Sequence, residues 1–79
     1  MGDGRRARFR VYRIGDNLCG ALIAEGGAEV YRSRPVQSGP DAVGRLEGRA
    51  EAHASARGLR IDWLEWTYYR MNNKAGGGV

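Results

Sequence analysis

The chain has 79 residues, of which 42% are hydrophobic and 28% charged, with a formal net charge of +4; it is long enough for one small domain, too short for a second core and too apolar for wholesale disorder. Its longest apolar run, Ala21 to Ala24, excludes a helical membrane span, and nothing near Met1 has the apolar stretch of a signal peptide, so a cytoplasmic location is expected. The single cysteine, Cys19, excludes an internal disulfide scaffold and agrees with a reducing compartment.

The positive surplus is local. Residues 1–13 carry Arg5, Arg6, Arg8, Arg10 and Arg13 against Asp3 alone, whereas residues 14–79 carry eight basic and eight acidic side chains. Twelve of the thirteen basic residues are arginine, the side chain suited to a bidentate grip on phosphate or carboxylate, although a GC-rich coding sequence yields the same bias. Residues 1–7 read as a basic N-terminal arm and residues 8–71 as the domain itself.

Within that domain RFRVYRI, residues 8–14, places Phe9 and Val11 on one side of a strand and Arg8, Arg10 and Tyr12 on the other. Gly15-Asp16-Asn17 is a turn signal. LCGALIA, residues 18–24, reads as a strand buried on both faces in the middle of a sheet, and Gly26-Gly27 supplies the positive φ of a tight hairpin. Residues 28–34, AEVYRSR, complete a meander; with Tyr31 inward, Arg32 and Arg34 point out together.

A helix is predicted over residues 40–57. Ser38 and Asp41 have capping-box spacing, Pro40 suits a first helical turn, and Gly58 suits a left-handed stop. Ala42, Val43, Leu46, Ala50 and Ala54 share one face, with His53 at its edge. On the opposite face Gly44, Gly48, Ala52 and Ala56 form a row of small residues, either a smooth strip for a close partner or a reflection of abundant alanine and glycine.

The last segment, residues 59–71, is dense in aromatics: DWLEWTYYR holds four of the chain's seven. Its apolar positions begin odd (Leu59, Ile61, Trp63) and turn even (Leu64, Trp66, Tyr68), so a strand with a bulge near Trp63 and Leu64 is expected. Ile61, Leu64, Glu65 and Tyr68 also make a short helical stripe, but aromatic and β-branched enrichment favours the strand. A core this small leaves at least one of Trp66, Tyr68 and Tyr69 at the surface, where such rings serve interfaces. Residues 72–79 form a glycine-rich C-terminal tail.

The expected fold is a single small α+β domain with an antiparallel β-meander, then a helix, then a strand (β-β-β-α-β), one sheet covered by one helix. Strand order, the direction of the last strand and the choice between monomer and homodimer stay open. No cofactor or metal is expected, because one histidine and one cysteine do not meet a ligand count. No nucleophile sits in a recognisable elbow, the glycine clusters lack the lysine and hydroxyl of a phosphate loop, and Glu47 with Glu51 reads as a charged helix surface beside Arg45 and Arg49. The chain is therefore expected not to be an enzyme.

Two binding readings follow. Arg8, Arg10, Arg32 and Arg34 form a basic sheet face, with Arg5 and Arg6 reaching a groove of DNA or RNA; over roughly residues 8–57 the architecture resembles the arm-binding domains of phage-type integrases, which implies DNA reading through the sheet. The balanced charge of residues 14–79 weighs against that. The preferred reading is a protein partner. A short arginine-rich α+β domain with a final aromatic strand resembles the anti-CRISPR proteins of phages and mobile elements. That resemblance of size and architecture implies an inhibitor that binds a Cas effector subunit and blocks nucleic-acid engagement or nuclease recruitment. Arg13 and the other arginines would then pair with acidic residues of the partner, and Trp66, Tyr68 or Tyr69 would be the buried anchors.

Overall fold

Alternation in RRARFRVYRI makes β1 (Arg5–Ile14) a two-faced strand. Ala7 and Phe9 are buried and Val11 half-buried on one face, while Arg6, Arg8 and Tyr12 are exposed on the other. The computed structural model describes residues 5–75, with side chains described through residue 71. Residues 1–4 of the expected arm and 76–79 of the expected tail lie outside the described residues. Arg5 and Arg6, assigned to that arm, belong instead to β1, because Arg5, Arg6 and Ala7 pair with a later strand.

β1 turns into β2 (Asn17–Ala24) through Gly15-Asp16, with Ile14 opposite Asn17 and Phe9 opposite Leu22. Gly15 has φ +60° and no other described residue except Gly26, Gly27 and Gly58 has positive φ, which is the pattern of a type II′ hairpin turn. Gly26 and Gly27, both at φ +98°, lead into β3 (Glu29–Arg32), where a register shift between Leu22 and Ile23 ends the regular pairing. β3 is thus shorter than the expected 28–34, and Arg34 lies beyond it. A two-residue β4 (Val36–Gln37), not foreseen in the sequence, pairs with the start of β2 and puts Val36 into the core.

The helix α1 (Ala42–Arg57) buries the stripe Ala42, Leu46, Ala50 and Ala54 against the sheet, as its spacing predicts. It starts two residues later than expected. Asp41 occupies the N-cap without a side-chain hydrogen bond, so the capping box of Ser38 and Asp41 does not form. Its end follows expectation: Gly58 takes φ +72° and its N–H turns back to the carbonyls of Ala54 and Ser55.

After Gly58 the structure departs from the expected strand. β5 (Leu59–Ile61) is short and runs parallel beside β1, giving a mixed five-stranded sheet in the order β3-β2-β1-β5 with β4 on β2. Trp63–Ala75 is a second helix, α2, where a bulged strand was expected. Asp62 starts it: its backbone N–H still donates to Ala7 O at 2.9 Å, extending the β5 pairing, while its Oδ1 accepts the Glu65 N–H at 3.0 Å. The apparent change of face at Trp63 and Leu64 is therefore the onset of a 3.6-residue period.

The fold is a single α+β domain with α1 packed on one face of the sheet and α2 set along the β1 edge. Phe9 lies at the centre, its ring 5.5 Å from that of Trp63 and 4.8 Å from that of Trp66. Gly20 faces the same core because a Cβ there would lie 3.1 Å from Leu46 Cβ and 3.2 Å from the Phe9 ring. α2 runs along β1 past the point where β5 stops, touching Phe9 on the core face and Arg8 and Arg10 on the other.

Candidate functional site

Strand parity carries Arg6, Arg8, Arg10 and Arg32 to the sheet face opposite α1, and α2 reaches its margin through Glu65 and Tyr69. Arg10 stands opposite Ala21, which stands opposite Arg32, so two guanidinium side chains flank one methyl group across three strands. One step along, Tyr12 stands opposite Cys19, and the Arg32 guanidinium lies 4.9 Å over the Tyr12 ring. Apart from α2 at the margin beside Arg8 and Arg10, no described element covers this face, yet Cys19 and Ala21 are buried, since the long arginine and tyrosine side chains lie across them. Arg6 stands beside Arg60 in the parallel register of β1 and β5, and both are exposed.

Carboxylates at the margins answer part of this charge. Arg32 donates from Nε and Nη2 to both oxygens of Glu29 at 2.8 and 3.0 Å, and this bidentate bond holds the Glu29 carboxyl below its usual range and raises Arg32 further. Glu65, on α2, lies 3.8 Å from Arg8 and 3.5 Å from Arg10, one carboxylate for two cations. Arg10 also stacks over Tyr69 at 5.0 Å. Between Arg6, Arg8, Ile23, Glu25, Asp62 and Glu65 lies a shallow depression of about 170 Å³.

The remaining predicted residues divide. Arg5 and Arg13 alternate to the other side of β1 from Arg8 and Arg10, and Arg34 is exposed past the end of β3. Trp66, expected among the surface anchors, is a core residue: it is 4% exposed, and its indole N–H donates to Glu47 Oε2 at 2.6 Å. Tyr69, stacked on Trp66, is 44% exposed, and Tyr68 is 68% exposed.

Two features escaped the sequence reading. Arg60 joins the arginine face, and its position between the inward Leu59 and Ile61 is the signal that marks it. On α2 the most exposed large apolar side chains are Leu64 at 85%, Tyr68 at 68% and Met71 at 64%, spaced i, i+4, i+7 along one stripe. The helical spacing that reveals this stripe was visible only in part, through Leu64 and Tyr68.

Among the described residues no group of histidine, cysteine and carboxylate side chains could hold a metal ion, and no helix is long and apolar enough to cross a membrane. The architecture defines a single-sheet α+β domain with two distinct open surfaces, one cationic and one apolar. No protein-family model matches the chain, and neither does any curated protein or solved structure.

Proposed function

We propose that this chain is a non-enzymatic binding protein that engages a protein partner through the open face of α2. The observation that carries this reading is the Leu64–Tyr68–Met71 stripe, three large side chains at the spacing by which an amphipathic helix fills an apolar groove. Exposing them to water gains the isolated chain nothing, whereas burying them against a partner removes apolar surface from solvent at about 25 cal/mol per Å². The resemblance to anti-CRISPR proteins supplies the particular form: a phage-type inhibitor acting in the bacterial cytoplasm on a CRISPR effector subunit. Tyr69 and the arginines around it would stand at the rim.

The test is co-elution with assembled CRISPR effectors, together with inhibition of their target cleavage, for the native chain and for the neutral pair Leu64→Ser and Met71→Ser. A stoichiometric complex that weakens roughly 30-fold or more in the variant, at unchanged thermal midpoint, supports the reading. Absence of any complex and of any inhibition retires the CRISPR form. A homodimer that dissociates in the variant would instead make the stripe a self-interface and retire the partner reading altogether.

A further inference from the structure

Independently of the apolar stripe, we infer that the open face of the sheet is a binding surface for the phosphate backbone of double-stranded nucleic acid. The inference rests on where the fold puts its arginines. Arg6 and Arg60 are side by side on neighbouring strands, both exposed, and among the described residues neither has an acidic partner. Like charges so placed repel each other and work against strand pairing. A bound polyanion relieves that repulsion.

Next to them, Arg8 is 61% exposed at the side chain and shares its one carboxylate, Glu65, with Arg10. An exposed pair at 3.8 Å contributes little and leaves the guanidinium's other N–H groups free for phosphate oxygens. Of the other carboxylates nearby, Glu29 is taken up by Arg32, Asp62 Oδ1 accepts the Glu65 N–H at the start of α2, and Glu25 borders the same depression as Arg6 and Arg8 without forming a salt bridge to either. The net result is a row of Arg6, Arg60 and Arg8, continued by Arg10, along the outward side of β1 and β5.

The aromatic side chains select duplex over single strand. Binding of a single strand relies on bases stacking on open rings. Here the Arg32 guanidinium covers one face of the Tyr12 ring, and Tyr69 meets both the Arg10 guanidinium and the Trp66 ring, which reduces the ring area open to bases. What the face offers is charge and N–H donors, which match phosphates rather than bases.

The experiment is fluorescence anisotropy of the full chain with a fluorescein-labelled 20-base-pair DNA duplex, across a salt series. Binding should weaken with salt, and the paired substitution R6A/R60A should lower affinity at least about tenfold at low salt and make the log–log salt slope shallower by about 1.8, two phosphate contacts at 0.9 each. The charge-matched control R45A/R49A, on the exposed side of α1, should leave the slope close to native, and L64S/M71S should bind as the native chain does. That last variant separates this surface from the proposed protein site. No duplex binding at low salt, or equal losses in R6A/R60A and R45A/R49A, would overturn the inference. So would tighter binding of a single strand that is lost on Tyr12→Ala. Because R6A/R60A removes a repulsion, its thermal midpoint should not fall, so loss of binding in it reports contact and not unfolding.

Discussion

The indole Nε1–H of Trp66 donates to Glu47 Oε2 at 2.6 Å, a bond between α2 and α1 that fastens the second helix to the first. Arg70 donates to the same oxygen at 3.0 Å, and the Trp66 ring meets Phe9 edge-on at 89°. Trp66→Ala is therefore expected to cost about 3–5 kcal/mol in chemical denaturation. Tyr68→Ala, on the same helix but exposed, should stay within about 0.5 kcal/mol. Native-like stability in Trp66→Ala would mean that α2 is not part of the core.

This contrast shows what the sequence could and could not reveal. The meander was legible because Phe9 and Val11 alternate with Arg8, Arg10 and Tyr12, and because Gly15, Gly26 and Gly27 mark the turns. The docking face of α1 was legible from Ala42, Leu46, Ala50 and Ala54. Residues 59–71 fit two periods at once, and local aromatic enrichment favoured a strand. Tertiary packing decided otherwise: Trp63 and Trp66, three residues apart, reach Phe9 together only on a helix. The outward face of β1 could be read by parity, but its neighbour Arg60 could be placed there only once β5 was known to lie beside β1.

Glycine positions divide by what surrounds them. Gly44 and Gly48 on α1 have nothing within 4 Å of an added Cβ, so alanine at each should stabilise the protein by up to about 1 kcal/mol. Gly20→Ala should do the reverse, because its Cβ would press on Leu46 and Phe9 at 3.1 and 3.2 Å, and overpacking costs about 1–3 kcal/mol. Thermal midpoints of the three variants check both signs. If Gly48→Ala keeps stability but weakens partner binding, the row of small residues on α1 is itself a contact surface.

Ser33 links the end of β3 to the middle of β2. Its Oγ accepts the buried Gly20 N–H at 2.9 Å and donates to Arg34 O at 3.0 Å. Ser33→Ala removes the acceptor and leaves a buried N–H without a partner, an expected loss of about 1–3 kcal/mol. Amide exchange should show it most directly: the Gly20 amide should lose protection more than Leu22, whose place in the ladder is untouched.

Asp62 decides where sheet becomes helix. Its backbone N–H pairs with Ala7 O, its side chain accepts from Glu65 N, and its carbonyl accepts the Trp66 N–H at 3.3 Å. The spacing Asp62 to Glu65 is that of a helix N-terminal signature, with an acidic residue in the first turn to complement the positive end of the helix. Asp62→Ala should cost about 1 kcal/mol, and Asp62→Asn should cost much less, because asparagine keeps the side-chain acceptor. Denaturant midpoints give the size of the effect, and circular dichroism locates it: the alanine variant should lose helical signal from α2 before the global transition. Equal behaviour of the two variants would assign the start of α2 to Trp63 and Trp66 packing on Phe9 alone.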